Sequence, residues 1–242
     1  METTVAEITH LRKSFGSNHV LDDINLKIAK GENLVILGKS GSGKSVLIKC
    51  LVGLIEPDDG EVSLFGENIA GLKGGKLNAL RKKVGFLFQS AALYDSMSVR
   101  ENLEFPLRDL KSKPKEEINE LVTEALRNVG LENAIDKMPS ELSGGMRKRV
   151  GLARTLILKP EIILYDEPTT GLDPITSKEI SQLILDMQKK YNTASIIITH
   201  DIECARITAN RTLIIKDGLV LAEGTFKEIS ESKDEWIHSF FN

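Results

Sequence analysis

Residues 34–45 read LVILGKSGSGKS, an apolar run followed at once by a loop rich in glycine and serine. The loop matches the pattern GxxxxGK[ST], in which glycines let backbone N–H groups converge on phosphate oxygens that a Cβ would crowd. In this pattern the lysine, Lys44, reaches the β- and γ-phosphates, and the hydroxyl of Ser45 binds Mg²⁺. The apolar run predicts a strand, and residues 46–52 (VLIKCLV) predict a helix whose N-terminus favours an anion. The stretch therefore predicts a nucleoside-triphosphate site on an α/β fold.

Further apolar runs follow the same pattern as residues 34–37. They are VGFLF at 84–88, IILY at 162–165 and SIII at 195–198. Each run is continuous rather than alternating, which is typical of strands buried on both faces of a parallel sheet. Helical patterns separate the runs along the chain. The core is therefore predicted to be an α/β fold of the P-loop NTPase kind, built on a parallel sheet.

The rest of the chain predicts two additions to this core. Short segments that indicate antiparallel strands occur at residues 5–11, 25–28 and 61–65. Residues 90–160 contain helical patterns and no evident strand. We therefore interpret residues 1–242 as a single domain. In it, residues 1–89 and 161–242 form the core with an N-terminal antiparallel β subdomain, and residues 90–160 form an inserted helical subdomain.

The predicted helices have recognisable boundaries. Pro114 begins a segment of apolar residues at helical spacing, and Gly130 ends it. Asp173 precedes a proline in the manner of an N-cap, and Ser143 is placed to cap a third helix. The basic tract RKR at 147–149 falls within this third helix, and we interpret it as a solvated helix face.

The bulk composition excludes some classes of function. With 41% hydrophobic and 28% charged residues and a net charge of −3, the chain lacks the basic field with which proteins usually bind nucleic acid. Cys50 and Cys204 stand alone in apolar contexts, and we predict that both are small core residues. The sequence contains no apolar run near the ~20 residues that cross a bilayer and no segment typical of a secretory signal. We expect the protein in the cytosol unless a partner holds it at a membrane.

A pair of carboxylates ends one of the predicted strands. Asp166 closes the apolar run 162–165, and Glu167 follows it directly. Such a pair is often an ordinary strand end, but the carboxyl edge of an α/β sheet is where ligand chemistry takes place. Beside a phosphate loop, Asp166 is predicted to hold the metal, largely through water. Glu167 is predicted to orient and polarise the attacking water.

Residues 142–146 (LSGGM) resemble the signature motif of ABC-type ATPases, whose commonest form is LSGGQ. The motif offers a second anion site, with Ser143 as the N-cap and a helix dipole directed outward. Gly144 and Gly145 would let a ligand approach the backbone closely. A serine-glycine-glycine turn alone would be weak evidence, but here it follows a phosphate loop and a carboxylate pair.

Other motifs of that family occur in the expected order. Phe15 stands where these ATPases carry an aromatic side chain that stacks on adenine, although core packing is an equally good interpretation. Gln89 follows a predicted strand and matches the Q-loop, which contacts Mg²⁺ and water. Residues 171–173 (GLD) match the D-loop, and His200 matches the switch histidine at the end of the last apolar run. The chain is therefore identified as a member of the ABC ATPase family.

The phosphate loop and this resemblance together predict a full site for ATP and Mg²⁺. The nucleotide-binding residues are Phe15, Gly38, Lys39, Ser40, Gly41, Ser42, Gly43, Lys44, Ser45, Val46, Ser143, Gly144, Gly145, Met146 and Asp173. The catalytic residues are Lys44, Gln89, Glu167 and His200, and the metal-binding residues are Ser45, Gln89 and Asp166. Lys39 departs from the proline that is common at the second position of the loop, which leaves the phosphate cradle intact.

The resemblance also implies how the chain works. Two copies pack head to tail across a two-fold axis, so that each ATP lies between the phosphate loop of one copy and the signature motif of the other. Closure of the dimer completes the site, hydrolysis reopens it, and the movement is delivered to a separate membrane permease.

A narrower resemblance is carried by three segments. Residues 88–108, residues 138–146 and residues 165–176 resemble the ATPases of MCE-type (Mla) lipid transporters, where Met146 also recurs in place of the usual signature glutamine. These systems move phospholipid between the membranes of diderm bacteria. The resemblance implies an integral permease, an MCE-domain lipid-binding protein and a place on the cytoplasmic face of the inner membrane.

Two alternatives stay open at this stage. One is the ATPase of an amino-acid or lipoprotein-release transporter. The other is a non-transport ABC protein of translation or DNA repair, although such proteins tend to carry two cassettes or large insertions. The acidic balance speaks against a nucleic-acid partner.

The segment after Gln89 is a candidate surface for the permease. Residues 91–97 (AALYDSM) contain Leu93, Tyr94 and Met97, apolar side chains of which some could face outward. Apolar anchors of this kind dominate protein interfaces. The competing interpretation is that they pack only the core of the helical region.

Overall fold

The computed structural model describes residues 3–109 and 114–241. Within these residues the strands are β1 (Thr4–Phe15), β2 (Asn18–Ala29), β3 (Asn33–Leu37), β4 (Asp59–Leu64), β5 (Glu67–Asn68), β6 (Val84–Leu87), β7 (Ile162–Asp166), β8 (Ala194–Ile198), β9 (Arg211–Lys216) and β10 (Leu219–Gly224). The α-helices are α1 (Lys44–Leu51), α2 (Gly74–Arg81), α3 (Val99–Glu104), α4 (Lys115–Asn128), α5 (Gly144–Leu156), α6 (Pro174–Tyr191), α7 (Ile202–Thr208), α8 (Phe226–Ser230) and α9 (Glu235–His238). Among the described helices, none is both long and apolar enough to cross a bilayer.

A mostly parallel sheet forms the core, in the order β10-β9-β3-β8-β7-β6. Neighbouring strands from β9 to β6 are parallel, and β10 pairs antiparallel with β9. In β3, Leu34 and Ile36 pack with Leu47 of α1 on one face, whereas Val35 packs with Ile184 of α6 on the other. Burial on both faces explains why this run is continuously apolar. The predicted α/β fold with a parallel sheet is confirmed.

Strands β9 and β10 form an antiparallel hairpin that is not among the elements predicted from the sequence. Asp217 and Gly218 join its strands and have positive φ angles of 48° and 77°. An Asp-Gly pair between two apolar segments is a strong hairpin signal, because both central residues of the tight turn need positive φ. The hairpin could therefore have been found from residues 211–224. It places β9 beside β3 and widens the core sheet.

The N-terminal strands form a separate antiparallel sheet in the order β2-β1-β4-β5. Its long strands β1 and β2 pair from Thr4↔Ala29 to Phe15↔Asn18 with several register shifts. The predicted strands at residues 5–11 and 25–28 are thus parts of longer elements. The two sheets share one hydrophobic cluster with α1, which contains Leu11, Ile24 and Cys50.

The described residues between β6 and β7 contain helices and no strand. Val99 and Leu103 of α3, Leu126 of α4 and Val150 of α5 share their own hydrophobic cluster, so this helical region has an independent core. Helix α4 has Pro114 as its N-cap residue, and α5 begins after Ser143. The middle of α5 packs against the end of β6, where a Cβ on Gly151 would lie 2.9 Å from Leu87 Cδ1.

Both cysteines are buried, as predicted. Burial raises the pKa of the Cys50 thiol and of the Cys204 thiol to about 11. Neither side chain is therefore set up as a thiolate ligand or nucleophile at neutral pH.

Candidate active site at the carboxyl edge of the sheet

The loop between β3 and α1 is fastened by its own lysine. Lys44 Nζ donates to the carbonyl oxygens of Gly38 at 2.7 Å and Lys39 at 2.9 Å. Burial lowers the pKa of Lys44, and the negative charges of Glu167 and Asp166 oppose that shift. An ammonium held by two carbonyls beside two carboxylates is placed to meet the phosphates of a nucleotide.

The glycine before Lys44 is dictated by space as well as by conformation. Gly43 has a φ of 96°, and a Cβ there would lie 2.6 Å from the carbonyl oxygen of Val20. Among the described residues, the buried hydroxyl of Ser42 has no hydrogen-bond partner. A polar loop atom is thereby left for a ligand, and the cradle fits a polyphosphate.

The loop opens onto a cavity of about 690 Å³. Its wall is formed by Val20, Gly38, Lys39, Ser40, Gly41, Ser42, Gly43, Lys44, Ser45, Val46, Gln89, Asp166, Glu167, Ile198, His200 and Phe240. The cavity wall therefore brings together the phosphate loop, the carboxylates at the end of β7, Gln89 two residues beyond β6 and His200 two residues beyond β8. This is expected because the carboxyl ends of parallel strands share one edge of the sheet.

The carboxylate of Glu167 is held from two sides. Its Oε2 lies 2.8 Å from His200 Nδ1 and accepts a hydrogen bond from Thr170 Oγ1 at 3.2 Å. The Glu167 side chain is only 15% exposed, and its backbone has a φ of 50°, which is uncommon for a residue with a Cβ. Such strain clusters at functional sites because the surrounding structure must over-determine it. The carboxylate is therefore fixed at the cavity wall next to the predicted switch histidine.

Asp166 is the last residue of β7 and is half-buried. Burial raises the pKa of Asp166, the neighbouring Glu167 raises it further, and the cations Lys49 and Lys44 oppose both effects. Because burial and a neighbouring carboxylate both disfavour the ionised form of Asp166, an added positive charge such as a metal ion would stabilise that form.

The metal prediction can be compared with the donors that are present. Within the described residues there is no group of three or more histidine, cysteine or acidic side chains able to hold an ion by itself. Mg²⁺ is usually bound by one or two protein groups together with substrate phosphates and water. Ser45, Gln89 and Asp166 line the same cavity as the phosphate loop. These donors fit an ion that arrives with the nucleotide.

The interpretation of the basic tract at 147–149 as a solvated face holds for Arg147, which is exposed, but is wrong for Lys148. Lys148 is only 5% exposed, and its Nζ donates to the carbonyl oxygens of Gln89 at 2.5 Å and Glu167 at 3.1 Å. Arg149 donates to the carboxylate of Glu179 on α6. A charged residue in a helix usually faces solvent, but here the carbonyl groups of Gln89 and Glu167 accept from the buried Lys148 ammonium.

The signature residues lie outside the cavity wall of their own chain. Ser143 caps α5 by accepting a hydrogen bond from Met146 N at 3.2 Å. A Cβ on Gly145 would lie 2.5 Å from the Thr176 methyl group, so the signature packs tightly on α6. The predicted N-cap is confirmed, and the motif forms a separate helix N-terminus.

Two other predicted nucleotide contacts are also absent from that wall. Phe15 is 51% exposed at the end of β1, so core packing is the wrong interpretation of this residue. The Lys13 ammonium lies 5.4 Å from the centroid of the Phe15 ring. Asp173 caps α6, and its carboxylate accepts hydrogen bonds from Ile175 N and Thr176 N. Adenine stacking by Phe15 and a nucleotide contact by Asp173 remain predictions.

Three wall residues were not identified from the sequence. They are Val20 on β2, Ile198 at the end of β8, and Phe240 near the C-terminus. Ile198 is the last residue of the predicted strand at 195–198 and could have been included. No local sequence pattern marks Phe240 as a wall residue, because tertiary packing brings the end of the chain to the cavity. Nearby on α9, the centroid of the Trp236 ring lies 5.5 Å from the Lys39 ammonium.

A phosphate loop between a buried parallel strand and a helix, facing two strand-end carboxylates, defines a P-loop nucleoside triphosphatase. The family model for ABC transporters matches residues 21–170. The chain is 41% identical over 98% of its length to the "Probable ribonucleotide transport ATP-binding protein mkl" of Mycobacterium leprae, covering 68% of that protein. It is 39% identical over 99% of its length to the "Intermembrane phospholipid transport system ATP-binding protein MlaF" of Haemophilus influenzae, covering 91% of it.

A solved structure supports the same grouping. The "Dimeric Structure of MJ0796, a Bacterial ABC Transporter Cassette" has a TM-score of 0.83 and 33% sequence identity, with 91% of this chain and 98% of that chain covered. The chain belongs to the ABC transporter family, in which it is an ATP-binding and ATP-hydrolysing cassette. The resemblance to ABC ATPases and to their Mla-type members is confirmed.

Proposed function

We propose that this chain is the ATPase subunit that powers phospholipid transport through a separate membrane permease. The observation that carries the proposal is the likeness to MlaF over 99% of the chain, joined to a cavity that gathers the whole predicted hydrolytic set. The membrane-bound partner also sets the location, the cytoplasmic face of the inner membrane. An MCE-domain protein is the further subunit that such a system uses to carry lipid.

The chemistry follows from the chain's own residues. The loop amides and Lys44 bind the β- and γ-phosphates, and Glu167 orients and polarises the water that attacks the γ-phosphate. His200, 2.8 Å from Glu167, positions that carboxylate. When bound, Mg²⁺ supplies charge neutralisation at the phosphates, and Ser45, Gln89 and Asp166 are the residues that would hold it.

A second copy of the chain supplies the other half of the site. The helix N-terminus after Ser143 is a ready anion site, yet it lies outside the cavity of its own chain. A head-to-tail dimer brings it to the partner's γ-phosphate. The dimeric MJ0796 cassette supports the formation of a dimer. Adenine stacking by Phe15 is part of the same proposal.

One relative favours a different cargo. The mycobacterial protein is named for probable ribonucleotide transport and is 41% identical to this chain. The cargo path lies in the permease, so the cassette must be tested with its membrane partner.

The test of cargo uses the cassette and its permease reconstituted together in proteoliposomes. We expect ATP-dependent movement of a fluorescent phospholipid, and no ATP-dependent movement of a radiolabelled ribonucleotide. The control is the same preparation carrying Lys44→Ala, which removes the phosphate-binding ammonium and should abolish transport. Ribonucleotide transport without lipid transport would contradict the phospholipid proposal.

Residues 91–97 are proposed to contact the permease. Tyr94 is 43% exposed, and its ring lies 4.6 Å from that of Phe105, whereas Leu93 is half-buried against the helical core. The buried amide of Asn102 holds the turn in place by accepting from Tyr94 N and donating to Met97 O. A well-fixed turn that presents an aromatic ring is suited to an interface anchor.

Tyr94→Ala is expected to abolish co-purification with the membrane subunits while leaving ATP binding and the melting temperature of the isolated chain nearly unchanged. Leu93 is the less useful probe, because its partial burial couples any change to stability. Leu219→Ala is the matched control, since Leu219 is 47% exposed on the edge strand β10. Retention of the complex by Tyr94→Ala would remove this turn from the interface.

A further inference from the structure

The buried ammonium of Lys148 connects helix α5 with the segments that follow strands β6 and β7. Lys148 lies on α5, the helix whose first residues carry the signature motif. Its Nζ donates to Gln89 O, just beyond β6, and to Glu167 O, just beyond β7. Lysine is rarely buried to this degree unless it is paired. One side chain thus connects the signature helix with two residues of the hydrolytic cavity.

Both acceptors are peptide groups whose position matters. The Glu167 peptide belongs to a residue with a φ of 50°, which needs outside support to persist. The Gln89 carbonyl lies where the chain leaves the sheet for the turn at residues 91–97. A shift of either peptide moves a side chain that lines the cavity.

Lys148 does not itself line that cavity. Burial lowers the pKa of Lys148 to about 8, and the charges of Glu167 and Asp166 oppose the shift. The ammonium is therefore near enough to both carboxylates for their charges to act on it, without forming part of the cavity wall. It donates to backbone carbonyl oxygens, so it is placed to fix the positions of two peptide groups and not to transfer a proton.

Helix α5 makes a second set of contacts with the chain that follows β6. Arg154, farther along the helix, donates to Ala91 O at 2.9 Å, and Gly151 lets the helix approach Leu87 and Ala91 closely. The helix and the turn after β6 are thus packed as one unit. Of these two cations, only Lys148 also reaches the loop that holds Glu167.

We propose that Lys148 is a positioning residue. Its hydrogen bonds fix the Gln89 and Glu167 peptides relative to the signature helix α5, so that movement of α5 changes the orientation of the Glu167 carboxylate. The inference rests on the proposed role of Glu167. Engagement of the signature by the partner's nucleotide would move α5, and Lys148 would carry that movement to the water-orienting side chain. Hydrolysis would thereby depend on dimer closure through a contact within each chain as well as across the interface.

The test is Lys148→Met in the full-length chain, which shortens the side chain by one atom and removes its hydrogen-bond donors. We expect kcat for ATP hydrolysis to fall about 10-fold or more, with the Kd for ATP within about 3-fold of wild type. Lys148→Arg restores donors and charge and is expected to recover part of kcat. Lys189→Met, the same change on the exposed face of α6, is the matched control and should be neutral.

A second measurement separates positioning from loss of structure. In the Glu167→Gln background, Lys148→Met is expected to keep the ATP-dependent dimer seen by light scattering, because the phosphate loop and the signature cap are untouched. Failure of this dimer, or equal losses in Kd and kcat, would mean that Lys148 only stabilises the fold. If Lys148→Met keeps the wild-type kcat while Glu167→Gln is inactive, the role of Lys148 is wrong and the role of Glu167 stands. If Glu167→Gln itself turns over ATP at the wild-type rate, the proposed hydrolytic role of Glu167 is wrong.

Discussion

Glu167→Gln is expected to lower ATP turnover by about 10²-fold or more while ATP still binds and locks the dimer. The amide keeps the shape of the side chain and can still accept from Thr170 Oγ1, whose present distance to Glu167 Oε2 is 3.2 Å. What it loses is the charge that polarises water beside the γ-phosphate. Steady-state phosphate release measures turnover, and light scattering with ATP measures the dimer.

The matched control for this change is Glu231→Gln. Glu231 is exposed, and its contact with Lys227 is a long surface ion pair of 4.0 Å, which is worth little. Turnover should stay at the wild-type level in the control. If Glu167→Gln also hydrolyses ATP at the wild-type rate, another group activates the water and the assignment of Glu167 is wrong.

The core of the fold and the phosphate side of the site were predictable for one physical reason. Residues 34–45 combine a strand that is buried on both faces with a loop in which close approach of other atoms requires glycine at positions 38 and 43. Both features are visible as patterns of consecutive residues in the sequence. The strand-end positions of Asp166 and His200 then follow, because parallel strands present their carboxyl ends at one edge.

Contacts between distant segments were not predictable in the same way. Lys148 appears in a basic tract that would suit solvent, and its two carbonyl partners lie on separate loops. Phe240 reaches the cavity wall from the far end of the chain. In each case the residue's environment is created by tertiary packing, which no local period or motif records.

The exposed Phe15 and the signature helix illustrate a different limit. A single chain presents both as surface features that are absent from its own cavity wall. Sequence resemblance assigns them to nucleotide contacts, and for the signature that contact requires a second copy. In the proposed dimer the composite site is formed by two chains, because in a single chain the signature residues lie outside the cavity wall.

Ser143→Arg is expected to abolish ATP-driven dimerisation and to reduce hydrolysis about 10²-fold or more, with nucleotide binding to the open monomer nearly unchanged. Ser143 is exposed at the N-terminus of α5 and lies outside the wall of the proposed ATP cavity of its own chain. A long cationic side chain there occupies the space in which the partner's nucleotide must meet the helix. Dimer formation is measured by light scattering, and binding by the Kd for ATP.

The arginine also removes the cap that Ser143 provides to Met146 N, a loss of about 1 kcal/mol in the free energy of unfolding. Ser143→Asn is the control, because asparagine is a good N-cap without the bulk or charge of arginine. We expect this variant to melt close to the wild-type temperature and to dimerise. If Ser143→Arg dimerises with ATP and hydrolyses it like wild type, the signature does not meet the partner's nucleotide, and the head-to-tail arrangement is wrong for this protein.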